Sequence, residues 1–286
     1  MESFEKQQAR LQVIIPYKIG FLGAGNMAQA IIKGLIEAKV ISANSIFATN
    51  RSAGKLQRLV ENFGINPLSN NEQLIDQTDV VILGVKPQDL SEAIDPILSI
   101  FHEKQIVISL AAGITLKSLK KKLPHCRLVR LMPNTPSLIS RGVLGYVVDD
   151  NQDQGLDTLM EDLFSPLGYV IKVDDESQFE ALSVACAAGT GFVFELMLYW
   201  QEWLEEHDFP KEIARKMTVE TFAGASMLAA QNATSDIQEL LNKVTSKKGI
   251  TEAGLQSMRE LEVERALRYS FEKSALRNQE LGKNSQ

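Results

Sequence analysis

The sequence predicts a doubly wound, mostly parallel α/β sheet followed by an all-α unit, and three observations carry that prediction. From Tyr17 onward, short β-branched runs alternate with amphipathic helical stretches, the signature of repeated βαβ units. The first run leads straight into Gly23-x-Gly25-x-x-Ala28 and then a helix. Near Asp175 the alternation stops, and long helical patterns follow with no strand between them. The 286 residues therefore divide into a flexible extension over 1–16, a dinucleotide-binding domain over 17–175 and a helical dimerisation domain over 176–286.

Each element has its own signal. The first helix, about Met27 to Ala38, carries Met27, Ile31 and Leu35 on one stripe, with Ile32 and Ile36 beside it. Ser45 to Asn50 is the second strand, and a helix follows through about Asn62. Asp79 to Val85 is almost wholly apolar, as a strand buried on both faces must be, and ends at Lys86-Pro87 because proline cannot continue a central ladder. Ile106 to Leu110 and Arg127 to Met132 are further strands, closed by Ala111-Ala112-Gly113 and by Pro133-Asn134-Thr135-Pro136. Val143 to Val148 and Tyr169 to Val173 flank a helix around Asp153 to Phe164.

In the second half, Phe179 to Glu206 has no clean polar face, and such a helix is normally buried. Pro210 suits the first turn of the next helix, which runs through Ala223-Gly-Ala-Ser226. Ser235-x-x-Gln238 reads as a capping box ahead of Ile237, Leu240, Leu241 and Val244. These stretches hold more apolar surface than one helical subdomain can cover, so an interlocked homodimer is expected. Gly282 to Gln286 reads as a loose end.

Composition narrows the partners. Thirty basic against 36 acidic side chains give a formal charge of −6, which offers no field for nucleic acid or anionic lipid. Lys117-Ser-Leu-Lys-Lys-Lys122 reads as a solvated helix face. Cys126 and Cys186 belong to no metal-binding spacing, which fits a reducing cytoplasm and no metal. No run reaches the roughly 18 continuous apolar residues of a membrane span, and the start of the chain lacks a secretory pattern.

The glycine motif is where a pyrophosphate would sit. Gly23 allows the tight turn, Gly25 lets backbone approach phosphate, and Ala28 lets helix pack on strand. N–H groups and the positive helix end then face the anion. After the second strand, an acidic residue would bond the ribose 2′-hydroxyl of NAD. Asn50-Arg51-Ser52 has no carboxylate, so NADPH is favoured, with NADH possible. His102, His125 and His207 all lie outside the strand-end motifs, so the proton relay of a hydroxy-acid dehydrogenase has no support. A cyclic imine needs no such relay, because solvent can protonate it to an electrophilic iminium.

Gly23-Ala-Gly-Asn-Met-Ala28, Val85-Lys-Pro87, Ala111-Ala-Gly113, Arg130-Leu-Met-Pro-Asn-Thr-Pro136 and Val244-Thr-Ser246 resemble, in order and spacing, the motifs of pyrroline-5-carboxylate reductases. The resemblance covers Tyr17 to about Leu281. It implies a Rossmann-type domain followed by a helical domain for dimerisation and substrate, dimers assembled further into rings, and reduction of 1-pyrroline-5-carboxylate to L-proline, the last step of proline biosynthesis. It also implies cofactor contacts at Leu22, Gly23, Ala24, Gly25, Asn26, Met27 and Ala28, at Asn50 with Arg51 and Ser52 beside it, at Asn71, at Val85, Lys86 and Pro87, and at Ala111, Ala112 and Gly113.

The resemblance further implies that the turn Ser246 to Thr251 grips the substrate carboxylate through backbone amides near Gly249 and Ile250. Ser246 and Lys248 complete that set, and Thr251 bonds the ring nitrogen as the catalytic residue. Two departures stand out. Lys247 and Lys248 replace a proline and a glycine, and Cys186-Ala-Ala-Gly-Thr-Gly-Phe192 loses the serines and proline of the family pattern. Gly189-Thr-Gly191 is followed by Glu195 rather than the lysine of β-hydroxyacid dehydrogenases, and Glu195 reads as a packing or interface residue. A related imine or carbonyl reductase acting on another small acid, or a non-catalytic nucleotide-binding dimer, are the alternatives.

Overall fold

The computed structural model describes residues 15–150 and 153–283. Its described residues fold into two compact units: one joins residues through Ala188 to those from Ser274 onward, and the other is Gly189–Lys273.

The first unit is built on one sheet. Strands β1 (Ile19–Leu22), β2 (Ile46–Thr49), β3 (Asn66–Pro67), β4 (Val80–Leu83), β5 (Ile106–Ser109), β6 (Arg127–Met132), β7 (Gly142–Val148) and β8 (Gly168–Lys172) lie in the order β3-β2-β1-β4-β5-β6-β7-β8. The first six follow the strand order of dinucleotide-binding sheets. All neighbours pair in parallel apart from β6 with β7, which run antiparallel. In the central register Ile19 faces Ile46 on one side and Val80 on the other, and all three are fully buried. That burial is why these strands read as continuous apolar runs rather than as alternations.

Helices α1 (Asn26–Glu37), α2 (Ala53–Phe63), α3 (Asn71–Gln77), α4 (Leu90–Ile94), α5 (Leu116–Lys122), α6 (Gln154–Phe164) and α7 (Glu176–Leu182) connect the strands and follow them. One face of the sheet packs Ile31, Leu35, Leu163 and Phe164. The other packs Leu74, Leu90, Leu119 and Phe179. Side-chain caps start several helices: Thr115 Oγ accepts the Ser118 N–H (3.1 Å), and Asp175 accepts those of Ser177 and Gln178. The edge strand β3 and helix α3 carry no strong sequence signal, since the strand is two residues long and contains Pro67.

Several expectations are corrected at the ends of the chain. Residues 1–14 lie outside the described part, but Ile15 is buried and its N–H donates to Val40 O (2.9 Å). The C-terminal end is not loose at Gly282: the last helix, α12, reaches Lys283, and Gly282 is buried against the Gly113 backbone. Residues 284–286 lie outside the described part.

The second unit holds α8 (Gly189–Glu205), α9 (Lys211–Gln231), α10 (Ile237–Lys243), α11 (Ile250–Glu260) and the greater part of α12 (Val263–Lys283). Trp200 meets Phe222 edge-on at 5.3 Å between ring centroids, and Phe192 meets Phe271 at 5.5 Å. The expected capping box does not form. Asp236 takes the N-cap position without a side-chain bond, and Gln238 donates instead to Asn242 (3.1 Å). Pro210 stands at the cap, one residue before the helix begins.

The apolar helix over Phe179 to Glu206 is buried at its start and bare thereafter. Phe179 and Val184 are buried, whereas Phe194 is 62% exposed and Trp203 59% exposed. Glu176–Glu205 is long and apolar enough, by length and composition, to cross a membrane. A widened π-type turn at Ser183–Ala188 interrupts it, and Glu195 lies within the exposed part.

Candidate functional site

The strand-end crevice of the sheet unit is shaped by backbone. Gly23 adopts φ +104°, and a Cβ there would come 3.0 Å from the Gly84 and Val85 backbone, so a glycine is required. Gly25 is the N-cap of α1, with no side-chain cap and no acidic residue in the first turn. The N–H groups of Asn26, Met27 and Ala28 therefore have no carbonyl one turn back, and a phosphate can take them without meeting a carboxylate. Ala28 is buried, and the Gly84 position approaches its Cβ. These residues fit a dinucleotide pyrophosphate.

Hydrogen bonds between strand ends hold this turn. The Gly23 N–H donates to Thr49 O (3.0 Å), and the Gly84 N–H to Leu22 O (2.9 Å). Asn50 Oδ1 accepts the Ala24 N–H (3.0 Å), while its Nδ2 donates to Ser52 O (2.9 Å). The Asn50 side chain is thus occupied in joining the glycine turn to the end of β2. Arg51 and Ser52 are exposed, and the Arg51 guanidinium has no ion-pair or hydrogen-bond partner among the described residues. It stands two residues before α2, next to the N-cap Ser52, and the first turn of that helix carries no acid and no side-chain cap.

Further along the strand ends, Asn71 opens α3, and its amide donates to Ala93 O (3.2 Å) in α4. Val85 lines the Gly23 turn. Lys86 is exposed at the cap of the short turn that Pro87 begins. Ala111, Ala112 and Gly113 follow β5, and Gly113 takes φ +77°. All the expected cofactor residues accordingly lie at the carboxyl ends of β1, β2, β3, β4 and β5.

In the helical unit, Ser246 to Thr251 forms a turn into α11. Gly249 is the N-cap; its N–H donates to Ser246 O (2.9 Å), and a side chain at Gly249 would collide with Ser246 Oγ. Ile250 is 94% exposed, and Thr251, the second residue of the helix, is exposed as well. Thr251 is not the cap, so its hydroxyl is not spent on helix initiation. Lys248 sits at φ +59°, a left-handed conformation that non-glycine residues adopt at a cost of about 1 kcal/mol. Its N–H donates to Glu252 Oε2 (2.5 Å), which steadies the turn. The N–H groups of Ile250 and Thr251, at the start of α11, have no partner among the described residues and can bond a small carboxylate, although the first turn also carries Glu252.

The altered segment beginning at Cys186 overlaps the π-type turn. Asn134 braces that turn: its Nδ2 donates to Cys186 O (3.1 Å), and its Oδ1 accepts the Val143 N–H (2.9 Å). Burial raises the Cys186 thiol above its ordinary pKa, and pushes that of Cys126 up to about 11. Neither is a ready nucleophile. His102, His125 and His207 are exposed, and no cluster that could hold a metal occurs among the described residues. Sequence reasoning missed the link between Arg130 and Glu176, whose partners stand far apart in the chain and share no local pattern.

Comparisons with known proteins agree in both halves. Residues 18–113 match a family described as "NADP oxidoreductase coenzyme F420-dependent", and residues 176–281 match "Pyrroline-5-carboxylate reductase dimerisation". A pyrroline-5-carboxylate reductase of Pseudomonas aeruginosa is 32% identical over 93% of this chain and 98% of its own length. The solved structure of a pyrroline-5-carboxylate reductase from Coxiella burnetii is similar at TM-score 0.84 and 31% identity, over 93% of this chain and 99% of that one. A Plasmodium falciparum pyrroline carboxylate reductase with NADP bound shares the fold at TM-score 0.83 and 21% identity, over 93% and 98% of the two chains.

Proposed function

The chain belongs to the pyrroline-5-carboxylate reductase family, and from that premise we infer that it reduces 1-pyrroline-5-carboxylate to L-proline with a nicotinamide cofactor, NADPH in preference to NADH. When bound, the cofactor supplies the hydride. The observation that carries the reading is the pairing of a glycine turn fit for pyrophosphate with a second helix start, at Gly249, fit for a small carboxylate. The preference for NADPH rests on Arg51, which has no other partner among the described residues and stands where an acidic residue would serve NAD.

The protein's own groups have simple tasks. Asn26, Met27 and Ala28 hold pyrophosphate oxygens by backbone N–H. Gly249 and Ile250 orient the carboxylate of the imine acid, and the Thr251 hydroxyl bonds its ring nitrogen. A protonated imine is already electrophilic, so most of the acceleration comes from orientation rather than from a proton relay. The exposed histidines fit that economy.

The family's dimerisation segment gives the bare apolar surface of α8 and α9 its partner, a second copy. Assembly of dimers into rings extends that reading. The π-type turn, Glu195, and the burial of Phe179 and Val184 in the sheet unit favour an interface helix over a membrane span. A cytoplasmic location suits two cysteines that form no disulfide among the described residues. The net charge of −6 leaves nucleic acid without an attractive surface field.

Rescue of a proline-requiring strain tests substrate and direction together. Growth without added proline is expected from the parent chain and not from Thr251→Ala at equal protein level. Equal rescue by the two chains would remove Thr251 from its role.

A further inference from the structure

Arg130 and Glu176 belong to none of the groups assigned above. Arg130 lies on β6, is 4% exposed, and has its guanidinium 4.3 Å above the centre of the Phe179 ring. Burial lowers its pKa, and the adjoining Glu176 carboxylate, with which it forms an ion pair, works the other way. A cation this buried persists only when it is paired. The other oxygen of Glu176 accepts the N–H of Leu116 at 2.6 Å. One carboxylate thus ties β6 to the first residue of α5.

Helix α5 is entered from Ala111-Ala112-Gly113. At the front of this loop, Ser109 Oγ accepts the Ala111 N–H (3.3 Å), and Ser109 is the register partner of Arg130 in the sheet. In the middle, Gly113 fits so closely beneath the end of α12 that a Cβ would stand 2.6 Å from Asn278 O and Gly282 N. At its exit, the Glu176 carboxylate holds Leu116. Of these three fastenings, the last carries charge and joins three elements: β6, α5 and α7.

A doubly wound sheet takes one mononucleotide on each half. Pyrophosphate on the turn after β1 and the ribose at the end of β2 assign β1, β2 and β3 to the adenosine half. The β4, β5 and β6 ends are then left for the nicotinamide half. We propose that Arg130 and Glu176 are positioning residues for the nicotinamide half of the cofactor, their ion pair and its bond to the Leu116 N–H setting where the Ala111–Gly113 backbone stands. The inference rests on the reductase reading above.

Calorimetric binding of NADPH, and of its adenosine half as a free bisphosphate, should be compared in parent, Glu176→Ala and Glu176→Gln, with kcat measured on the same samples. For Glu176→Ala, NADPH affinity should fall roughly tenfold and kcat should fall with it, while the adenosine half binds within about twofold of the parent. Glu176→Gln should lose less, because it keeps an acceptor oxygen for Leu116, and it carries the comparison if the alanine variant does not fold. Unchanged NADPH affinity and kcat, or equal losses for both probes, would overturn the proposal. A parent that binds no NADPH would overturn the reductase reading and this inference together.

Discussion

Ile19 and Phe194 occupy comparable places in their units' sequence patterns, as large apolar residues in runs with little polar relief, yet Ile19 is 0% exposed and Phe194 62%. In the sheet unit, the central strands find their cover within the chain. Strands β1, β4 and β5 are buried along their whole length. In the helical unit, Phe194, Met227 and Leu228 stand open beside few buried residues, among them Ala214 and Thr218. Apolar composition therefore dictates that a surface will be covered, and only topology tells by what. The core of one unit closes on itself, whereas the other unit carries the dimerisation segment with its apolar face open.

The strongest way to break this contrast is to charge the open face. Phe194→Asp should weaken self-association by a thousandfold or more, on the order of 4 kcal/mol, because a dimer would bury an unpaired carboxylate. Sedimentation velocity should show monomer, with cofactor binding by the sheet unit retained. The same substitution at Ile31, fully buried in α1, should instead prevent folding.

Next in size comes the division of labour between the units. Thr251→Ala should lower kcat about a hundredfold, at the low end of what a positioned proton-transfer or hydrogen-bonding group contributes, with NADPH affinity unchanged by calorimetry. Loss of cofactor binding in this variant would place Thr251 on the wrong side of the comparison. Arg51→Ala should do the converse. It should reduce NADPH affinity about tenfold relative to NADH, roughly one charge-assisted hydrogen bond in each binding equilibrium, with kcat at saturation retained.

The smallest effect belongs to the sheet unit's own fastening. Asp153 caps α6 through the Leu156 N–H (3.2 Å) and takes a forked bond from Arg127 (2.7 Å for each arm). Burial tends to raise its pKa, but the Arg127 bonds and charge, together with the backbone N–H groups, outweigh it and hold the carboxyl below its usual range. A lowered folded-state pKa gives stability that is present above the unfolded value near ~3.9 and is lost as pH falls through the folded one. Asp153→Ala should cost about 1 kcal/mol at neutral pH. In urea titrations the difference from the parent should shrink as the pH is brought below about 4.

The same contrast explains what was legible in the sequence. The turn at Gly23, Gly25 and Ala28 could be read because each answers a local demand of the backbone, and Thr115 and Asp153 mark their helix starts in the same way. Strand β3 could not, since its two residues gain their place only from pairing with Phe47 and Ala48. The Ser235-Gln238 capping pattern was local but misleading, because Asp236 takes the cap and Gln238 turns to Asn242. The bond from Leu116 to Glu176 joins residues sixty positions apart. No spacing rule reaches that far. Lys248 could be placed in the turn before α11, but its left-handed backbone was visible only in the structure.

Whether the two units together make a reductase is tested most directly by supplying the purified protein with NADPH and 1-pyrroline-5-carboxylate, and following cofactor oxidation and product together. The expected result is one L-proline formed for each NADPH consumed, with slower turnover of other cyclic imines. A folded dimer that binds NADPH but leaves 1-pyrroline-5-carboxylate unreduced, or that turns over another imine faster, would contradict the account.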